Sequence, residues 1–317
     1  MEKKDSEMQR RLAAAHPEAS ANLFRELAAD KSASVRKAVA LNFNTPLEVL
    51  WGLVEEYPEL CVENEAFRLA IVVDLGALHR APEKALEVLL KQKQVPEPWL
   101  RWGSRHEGYR VRVAVAEHSS TPVEVLELLA TDDSWKVRKA VAEHPSAPAE
   151  ALEQLAGDDF LAVRKAVAVN PSSPREVLEQ LAADHDWVSK YVRWAVAANS
   201  QAPVEVLGEL VVKENSDIRQ VARRTLLLAI RREEVPADAL QELAGSESSW
   251  VRKTVARREL APLEVLKQLA GDEEEDVRKA VAENSSTPPA LLRQLAEDSN
   301  AEVQQAARSH PNAPQGI

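Results

Sequence analysis

The 317-residue sequence predicts an all-α fold, a stacked array of two-helix repeats each about 26 residues long. Three observations carry that. A phrase of the form V-R-x-A-V-A recurs, with its leading residue at Val35, Val111, Val137, Val163, Val192, Ile218, Val251, Val277 and Val303. From Val111 onward the spacings are 26, 26, 29, 26, 33, 26 and 26 residues. A proline stands eleven residues after nearly every anchor: Pro46, Pro122, Pro148, Pro174, Pro203, Pro262, Pro288 and Pro314. After Ile218 the matching proline, Pro236, comes seven residues late. Between these marks the apolar residues recur at helical intervals.

The stretch from Thr121 to Pro148 contains one unit and the start of the next. Thr121-Pro122-Val123-Glu124 reads as a helix start, with Thr121 as cap, Pro122 at the first helical position and Glu124 closing a capping box. Thr45 with Glu48 and Ser173 with Glu176 repeat that device. Val125, Leu126, Leu129 and Ala130 then line one face. Asp132-Asp133-Ser134 breaks this helix and puts acids at the start of the next, where the helix dipole favours them. The second helix buries Val137, Ala140 and Val141 and stops at His144-Pro145. Each helix is only about 14 Å long, too short to be stable alone in water. Its apolar face needs the neighbouring unit, so stability is a sum over units and interfaces.

The text from Val137 to Asp159, VRKAVAEHPSAPAEALEQLAGDD, resembles the leucine-rich repeat variant family, an α-solenoid. The resemblance covers residues 1–50 and 111–317. It implies a right-handed superhelix in which one helix of each pair can be 3₁₀, whereas the periodicity alone makes both α. Some members of that family carry a cysteine-rich iron–sulfur segment at the N-terminus. Cys61 is the only cysteine here, so that cofactor does not carry over, and no other cofactor is expected.

Composition bounds the function classes. One cysteine excludes an internal disulfide framework and a cysteine-ligated metal site. The formal net charge of −11 argues against a general nucleic-acid binder. The leader MEKKDSEMQRRL has no apolar core and is not a secretory signal. No apolar run is long enough for a bilayer, so no membrane contact is expected and the cytoplasm is the expected compartment. Aromatics are only 4% of the chain, which leaves Ala, Val and Leu to pack thin, closely stacked helices.

The chain reads as one array over residues 1–317. Repeats at 1–53 begin with a degenerate unit whose Arg10 stands where Arg36 stands one period later. At 54–110 the repeat text fails. Glu65–Leu78 reads there as a longer buried helix, Ala81-Pro82 as an ordinary helix start, and Val95–Tyr109 as loop chemistry with Trp99 and Trp102. Regular repeats fill 111–317, with insertions near 184–191, which brings in Trp187 and Tyr191, and 218–236, where the second helix runs on through Arg232. Asn312-Ala-Pro314 reads as a helix start with no helix after it, consistent with a frayed end, a continuing chain or a stacked subunit.

Three sets of residues are candidate sites. The segment Trp99, Arg101, Trp102, His106 and Tyr109 is either a binding loop or an aromatic filling for worn repeats. Arg36, Arg112, Arg138, Arg164, Arg193, Arg219, Arg252 and Arg278 follow the anchors and form a stripe, with Lys37, Lys139, Lys165, Lys253 and Lys279 beside it. That stripe reads as a basic track or as an internal ladder, since Asp30, Asp132, Asp158, Asp272 and Asp298 recur at a fixed offset. His16, His118, His144 and His310 share the helix-exit position with Asn42, Asn170, Asn199 and Asn284. A helix-terminal role explains that exchange, where Asn tolerates a left-handed turn, while stacked units hold single imidazoles about 10 Å apart, too far for one metal. No catalytic motif is present: no G-x-S-x-G, phosphate-binding glycine loop or H-E-x-x-H.

The expected function is a non-enzymatic scaffold that binds a protein partner on its curved surface. Nucleic-acid backbone binding through the arginine stripe is the first alternative. An enzyme or cofactor site in the Trp99–Tyr109 loop is the second.

Overall fold

The computed structural model describes residues 2–73, 76–79, 81–183, 189–231 and 235–315. The chain divides into two compact units, Met1–Ala151 and Leu152–Ile317. Unit 1 contains α1 (Glu2–Ala15), α2 (Ala21–Ala28), α3 (Ala33–Leu41), α4 (Leu47–Leu53), α5 (Pro58–Glu63) and α6 (Glu65–Val73). It continues with α7 (Gly76–His79), α8 (Glu83–Leu90), α9 (Glu97–Gly103), α10 (Tyr109–Glu117), α11 (Val123–Leu129) and α12 (Trp135–Glu143). The unit boundary falls inside α13 (Ala149–Ala156). Unit 2 contains α14 (Leu161–Val169), α15 (Arg175–Ala183), α16 (Lys190–Ala198), α17 (Val204–Lys213), α18 (Ser216–Ala229) and α19 (Ala237–Ala244). It ends with α20 (Ser249–Ala256), α21 (Leu263–Leu269), α22 (Glu275–Glu283), α23 (Pro289–Leu295) and α24 (Ala301–Ser309).

Each unit is an α-solenoid of two helix layers. Helices bearing the V-R-x-A-V-A phrase, here the anchor helices, lie side by side. In unit 1, α1, α3, α5, α8, α10 and α12 pack in succession, and in unit 2 α14 packs on α16 and α16 on α18, while α20, α22 and α24 do the same. Helices that begin after the recurrent proline form the other layer, for example α15, α17, α19 and α21. The nine anchor residues are between 0 and 3% exposed, which fixes the repeat register to the buried seam. Both helices of each pair are α-helical among the described residues, as the periodicity requires. The 3₁₀ geometry that the family resemblance implies is limited to i→i+3 bonds at helix ends, such as Val137 N–H to Ser134 O at 3.0 Å.

Local chemistry differs from the capping reading. The N-cap position belongs to the proline itself, Pro46 in α4 and Pro122 in α11, with no side-chain cap bond. Thr121 instead turns its hydroxyl inward and donates to Val115 O at 2.5 Å. Thr45, Ser173 and Thr287 do the same to Val39, Val167 and Val281, each at 2.6 Å. These buried hydroxyls tie the end of one anchor helix to the start of the next proline helix. Each of these carbonyls also accepts the N–H of the helix-exit residue, as Val115 O does from His118 at 3.1 Å, so the hydroxyl occupies its second lone pair.

The helix-exit residues are not left-handed either. Asn42, His144 and Asn284 have φ of −73°, −70° and −74° with extended ψ. What they share is a bond backward along the stack. Asn42 Nδ2 donates to Ala14 O and His16 O at 2.9 and 3.0 Å. Asn64, Asn199 and Asn284 repeat this fork onto the preceding repeat. The histidines make the single-bond version: His118 Nε2 to Gln92 O at 2.9 Å, His144 Nε2 to His118 O at 3.1 Å, and His310 Nε2 to Asn284 O at 3.0 Å. Each Nδ1 accepts the amide two residues on, as Ser146 N–H donates to His144 Nδ1 at 3.0 Å. That places the proton on Nε2 and makes the ring neutral. Arg258 reaches Ile230 O at 2.6 Å from the same place in its repeat. Asn and His exchange here because both present an acceptor to their own turn and a donor to the neighbouring one.

The irregular segment is filled by aromatics. Trp51 and Phe67 meet edge-on with ring centroids 5.0 Å apart, and Phe67 meets Trp99 at 6.4 Å. The long helix expected over Glu65–Leu78 is helical over α6 and α7, and residues 74 and 75 between them lie outside the described set. Helix α8, although it starts after Pro82, packs between α5 and α10 in the anchor layer. Cys61 is buried beneath, its thiol pushed up to about 12 by desolvation. Helix α18 is 14 residues long against nine in α12, as the late Pro236 predicts, but it ends at Ala229. Trp187 and Arg232 lie outside the described residues. No helix among them is long and apolar enough to cross a membrane.

The backward bond predicts a specific pattern of tolerance. His144→Asn keeps both bonds and leaves the urea midpoint near that of the parent, whereas His144→Leu strands Ser146 N–H, leaves His118 O with the Thr121 N–H alone, and costs about 2 kcal/mol. Burial holds the His144 imidazole below its ordinary value of 6.5. Its contribution is therefore complete above the unfolded value and is lost as pH falls from about 6.5 through the lowered folded value. Urea midpoints measured from pH 7.5 downward should show a shallower acid limb for His144→Asn than for the parent.

Candidate binding surface

The arginine stripe is a ladder of internal struts. Arg112 grips Asp132 of the next repeat bidentately, Nε to Oδ2 at 2.6 Å and Nη2 to Oδ1 at 2.9 Å. Arg252 holds Asp272 at 2.7 and 2.9 Å, and Arg278 holds Asp298 at 2.7 and 3.0 Å. Arg10 pairs with Asp30 at 2.6 Å, while Arg36 and Arg193 use Glu56 and Glu214. The third arm turns to the backbone of its own repeat. Arg112, Arg138, Arg164, Arg252 and Arg278 donate to the carbonyls of His106, Asp132, Asp158, Ser246 and Asp272 at 2.7 to 2.9 Å. The aspartate six residues before an arginine thus supplies its carbonyl, and the aspartate twenty residues after supplies the carboxylate. Asp132 Oδ1 also accepts Ser134 N–H at 2.8 Å, which closes the turn into α12. The Asp272 and Asp298 carboxyls are held below the usual range; burial opposes that for Asp272, and the Arg252 and Arg278 bonds drive it. Arg112, Arg193, Arg252 and Arg278 are therefore corrected from partner anchors to scaffold residues.

The Trp99–Tyr109 segment divides in the same way. Trp99 is 3% exposed and belongs to the aromatic core, so it is not available as an anchor. His106 occupies the place of the ladder aspartate: its carbonyl takes Arg112, and its Nδ1 accepts Gly108 N–H at 3.0 Å. Trp102 lies half-buried, edge-on to His79 and His106 at 5.2 and 5.3 Å. Arg101 is exposed and pairs with Glu97 at 2.7 Å and Glu124 at 3.6 Å. Tyr109 opens onto a recess. Among the described residues, no group of three His, Cys, Asp or Glu could hold a metal ion.

With the ladder accounted for, the outward face of the anchor helices carries the remaining chemistry. In unit 1 a recess of about 330 Å³ lies between α10 and α12, lined by Tyr109, Arg110, Glu117, Trp135, Lys136 and Glu143. Lys136 Nζ stands 5.0 Å above the Tyr109 ring and 5.9 Å from that of Trp135. Arg110 and Lys136 hold the Tyr109 phenol below its ordinary value. In unit 2 the same face of α16 presents Tyr191 and Trp194, 52% and 43% exposed. They are one helical turn apart and share a face. Val169 on α14 and Leu228 on α18 are exposed to 56% and 58% on the flanking helices. Lys190 stands over the Tyr191 ring at 5.0 Å, and Arg223 over that of Trp250 at 5.0 Å.

Trp135, Trp194 and Trp250 are missed when the sequence is read for departures from the repeat, because they sit inside regular repeats. Their signal is positional. They occupy the two places before the anchor or the second place after it, where the helical period turns side chains outward.

The family profile described as Leucine rich repeat variant matches residues 109–134, 135–160, 161–186 and 275–300. Those four stretches match leucine-rich repeat variant repeats, and each holds the phrase and proline spacing that build the two layers. No curated protein matches it. Computationally designed armadillo repeat proteins for modular peptide recognition are among the solved structures similar to it. The identity is 14%, over 75% of this chain and 93% of the other, with a TM-score of 0.16.

Core and surface tryptophans should separate cleanly. Trp99→Ala removes a buried ring and costs about 3–5 kcal/mol in chemical unfolding, whereas Trp194→Ala stays within about 0.5 kcal/mol of the parent.

Proposed function

We propose that this protein is a non-enzymatic scaffold that holds a protein partner on the outward face of its anchor helices. The observation that carries this reading is the pair Tyr191 and Trp194, more than two-fifths exposed and one turn apart on α16. Large aromatic side chains lose little entropy on binding and dominate interface energetics. A surface prepaid in rigidity binds without an ordering penalty. The Tyr109–Trp135 recess in unit 1 offers the same kind of contact. Binding of nucleic acid along the arginine stripe fits less well, because those guanidiniums already hold carboxylates and carbonyls. The lone buried thiol of Cys61 fits a reducing compartment such as the cytoplasm.

Affinity capture from native lysate, with and without nuclease and at two salt concentrations, tests the proposal. A protein partner that survives nuclease and is lost with Trp194→Ala or Trp135→Ala is the expected result. Recovery of nucleic acid that leaves steeply with salt and depends on neither tryptophan would overturn it.

A further inference from the structure

The outward face of the anchor helices is not uniform. Three places define it: one residue before the anchor, two after and six after. In α12 these are Lys136, Lys139 and Glu143, and in α22 Asp276, Lys279 and Glu283. There the charges cancel locally. Lys139 holds Glu143 at 2.6 Å, Lys253 holds Asp276 at 3.0 Å and Lys279 holds Glu302 at 2.6 Å. Across α14, α16, α18 and α20 the acid six places after the anchor is absent. Val169, Ala198, Arg224 and Arg257 stand there instead. Two places after the anchor come Lys165, Trp194, Gln220 and Lys253, and Asp217 is the one acid among the twelve residues at these places. Lys165, Arg224 and Arg257 are exposed; among the described residues Lys165 and Arg224 form no ion pair, while Asp276 on α22, paired with Lys253 at 3.0 Å, also lies within the field of Arg257. The chain as a whole carries a formal charge of −11. This face of unit 2 reverses that sign and interleaves it with Tyr191, Trp194, Val169 and Leu228.

We infer that the α14–α20 face of unit 2 binds an acidic peptide segment bearing large apolar side chains. The inference rests on the scaffold reading and adds the chemistry of the partner. Carboxylates of the segment meet Lys165, Arg224 and Arg257, and its apolar side chains pack on Trp194, Tyr191, Val169 and Leu228. Helices α14, α16 and α18 pack in succession, and Arg223 of α18 covers the Trp250 ring of α20 at 5.0 Å; three helices at about 10 Å spacing already span about 20 Å, the length of about six residues of extended chain. The cationic stretch is short and bounded: α22 restores Glu275, Asp276 and Glu283. A polyanion tracked along its backbone needs a continuous cation row, and aliphatic Val169 and Leu228 offer no stacking surface for bases. Both points favour a peptide over single-stranded nucleic acid.

The test is fluorescence anisotropy on the full chain with four labelled probes. These are a ten-residue peptide alternating Glu or Asp with Leu or Phe, its Lys/Arg counterpart with the same apolar residues, an acidic peptide with Ala for the apolar residues, and a deoxythymidine ten-mer. The acidic-apolar peptide should bind tightest. The triple variant Lys165→Glu, Arg224→Glu, Arg257→Glu and the single variant Trp194→Ala should each weaken it at least tenfold, and Lys267→Glu on α21 should leave it unchanged. Circular dichroism of each variant checks that the fold is kept. Equal or tighter binding of the basic peptide, a peptide affinity indifferent to the triple variant, or no peptide binding overturns the inference. Tighter binding of the oligonucleotide with the same residue dependence assigns the face to nucleic acid. A partner captured from lysate that needs Trp194 but ignores the triple variant would sink the acidic peptide while leaving the scaffold reading intact.

Discussion

Everything in this protein depends on one constraint: helices of seven to nine residues cannot stand alone, so each repeat must be bonded to its neighbour. Apolar burial supplies much of that bond, through anchors such as Val137 and Val277. It is not directional, and thin Ala/Val packing alone would let repeats slide. Two polar ladders fix the register. The Asn/His ladder runs inside the stack, from a side-chain donor to a carbonyl of the preceding repeat. The arginine ladder runs along its edge, from a guanidinium to a carboxylate of the following repeat and a carbonyl of its own. Each bond has geometric requirements that only one stacking offset meets.

The ladders also decide what the surface can do. A row of arginines suggests a basic track when only the sequence is in view. With Arg36, Arg112, Arg252 and Arg278 each forked over a carboxylate and a carbonyl, these members of the row are part of the frame and their charge is balanced in place. The outward face of the anchor helices carries only exposed ion pairs between repeats, such as Lys253–Asp276 and Lys279–Glu302, which contribute little to stacking. Lys/Glu pairs occupy it where nothing else is called for, as at Lys139 and Glu143. Tyr109, Trp135, Tyr191 and Trp194 occupy it elsewhere, and those are the substitutions a binding surface would select.

The two-layer fold was legible in the sequence because its period is written in residues that packing dictates, the buried valine and the proline. The ladder was legible in part. The recurrence of aspartate pointed to Arg–Asp pairs, but the offset that sequence makes obvious, six residues, turned out to be the carbonyl contact. The carboxylate comes from twenty residues on, a distance only stacking creates. His106 could have been placed from register alone, since it stands one period before Asp132. The left-handed turn assigned to Asn42 and His144 failed for a similar reason: the exchange of Asn for His reflects shared donors and acceptors across repeats, and no local preference encodes that. For Trp99 the sequence left two readings open, a binding loop among Pro and Gly or an aromatic filling, and Phe67, itself against Trp51, shows the second.

The most direct test of this account is a double-mutant cycle between Arg112 and Asp132, read from chemical unfolding of the parent, Arg112→Ala, Asp132→Ala and the double variant. If the ladder holds repeats in register, the double variant is more stable than the sum of the single losses allows. The coupling should be about 1–3 kcal/mol. Losses that add to within about 0.5 kcal/mol would mean the pair is a solvated surface contact and that apolar packing alone sets the stack.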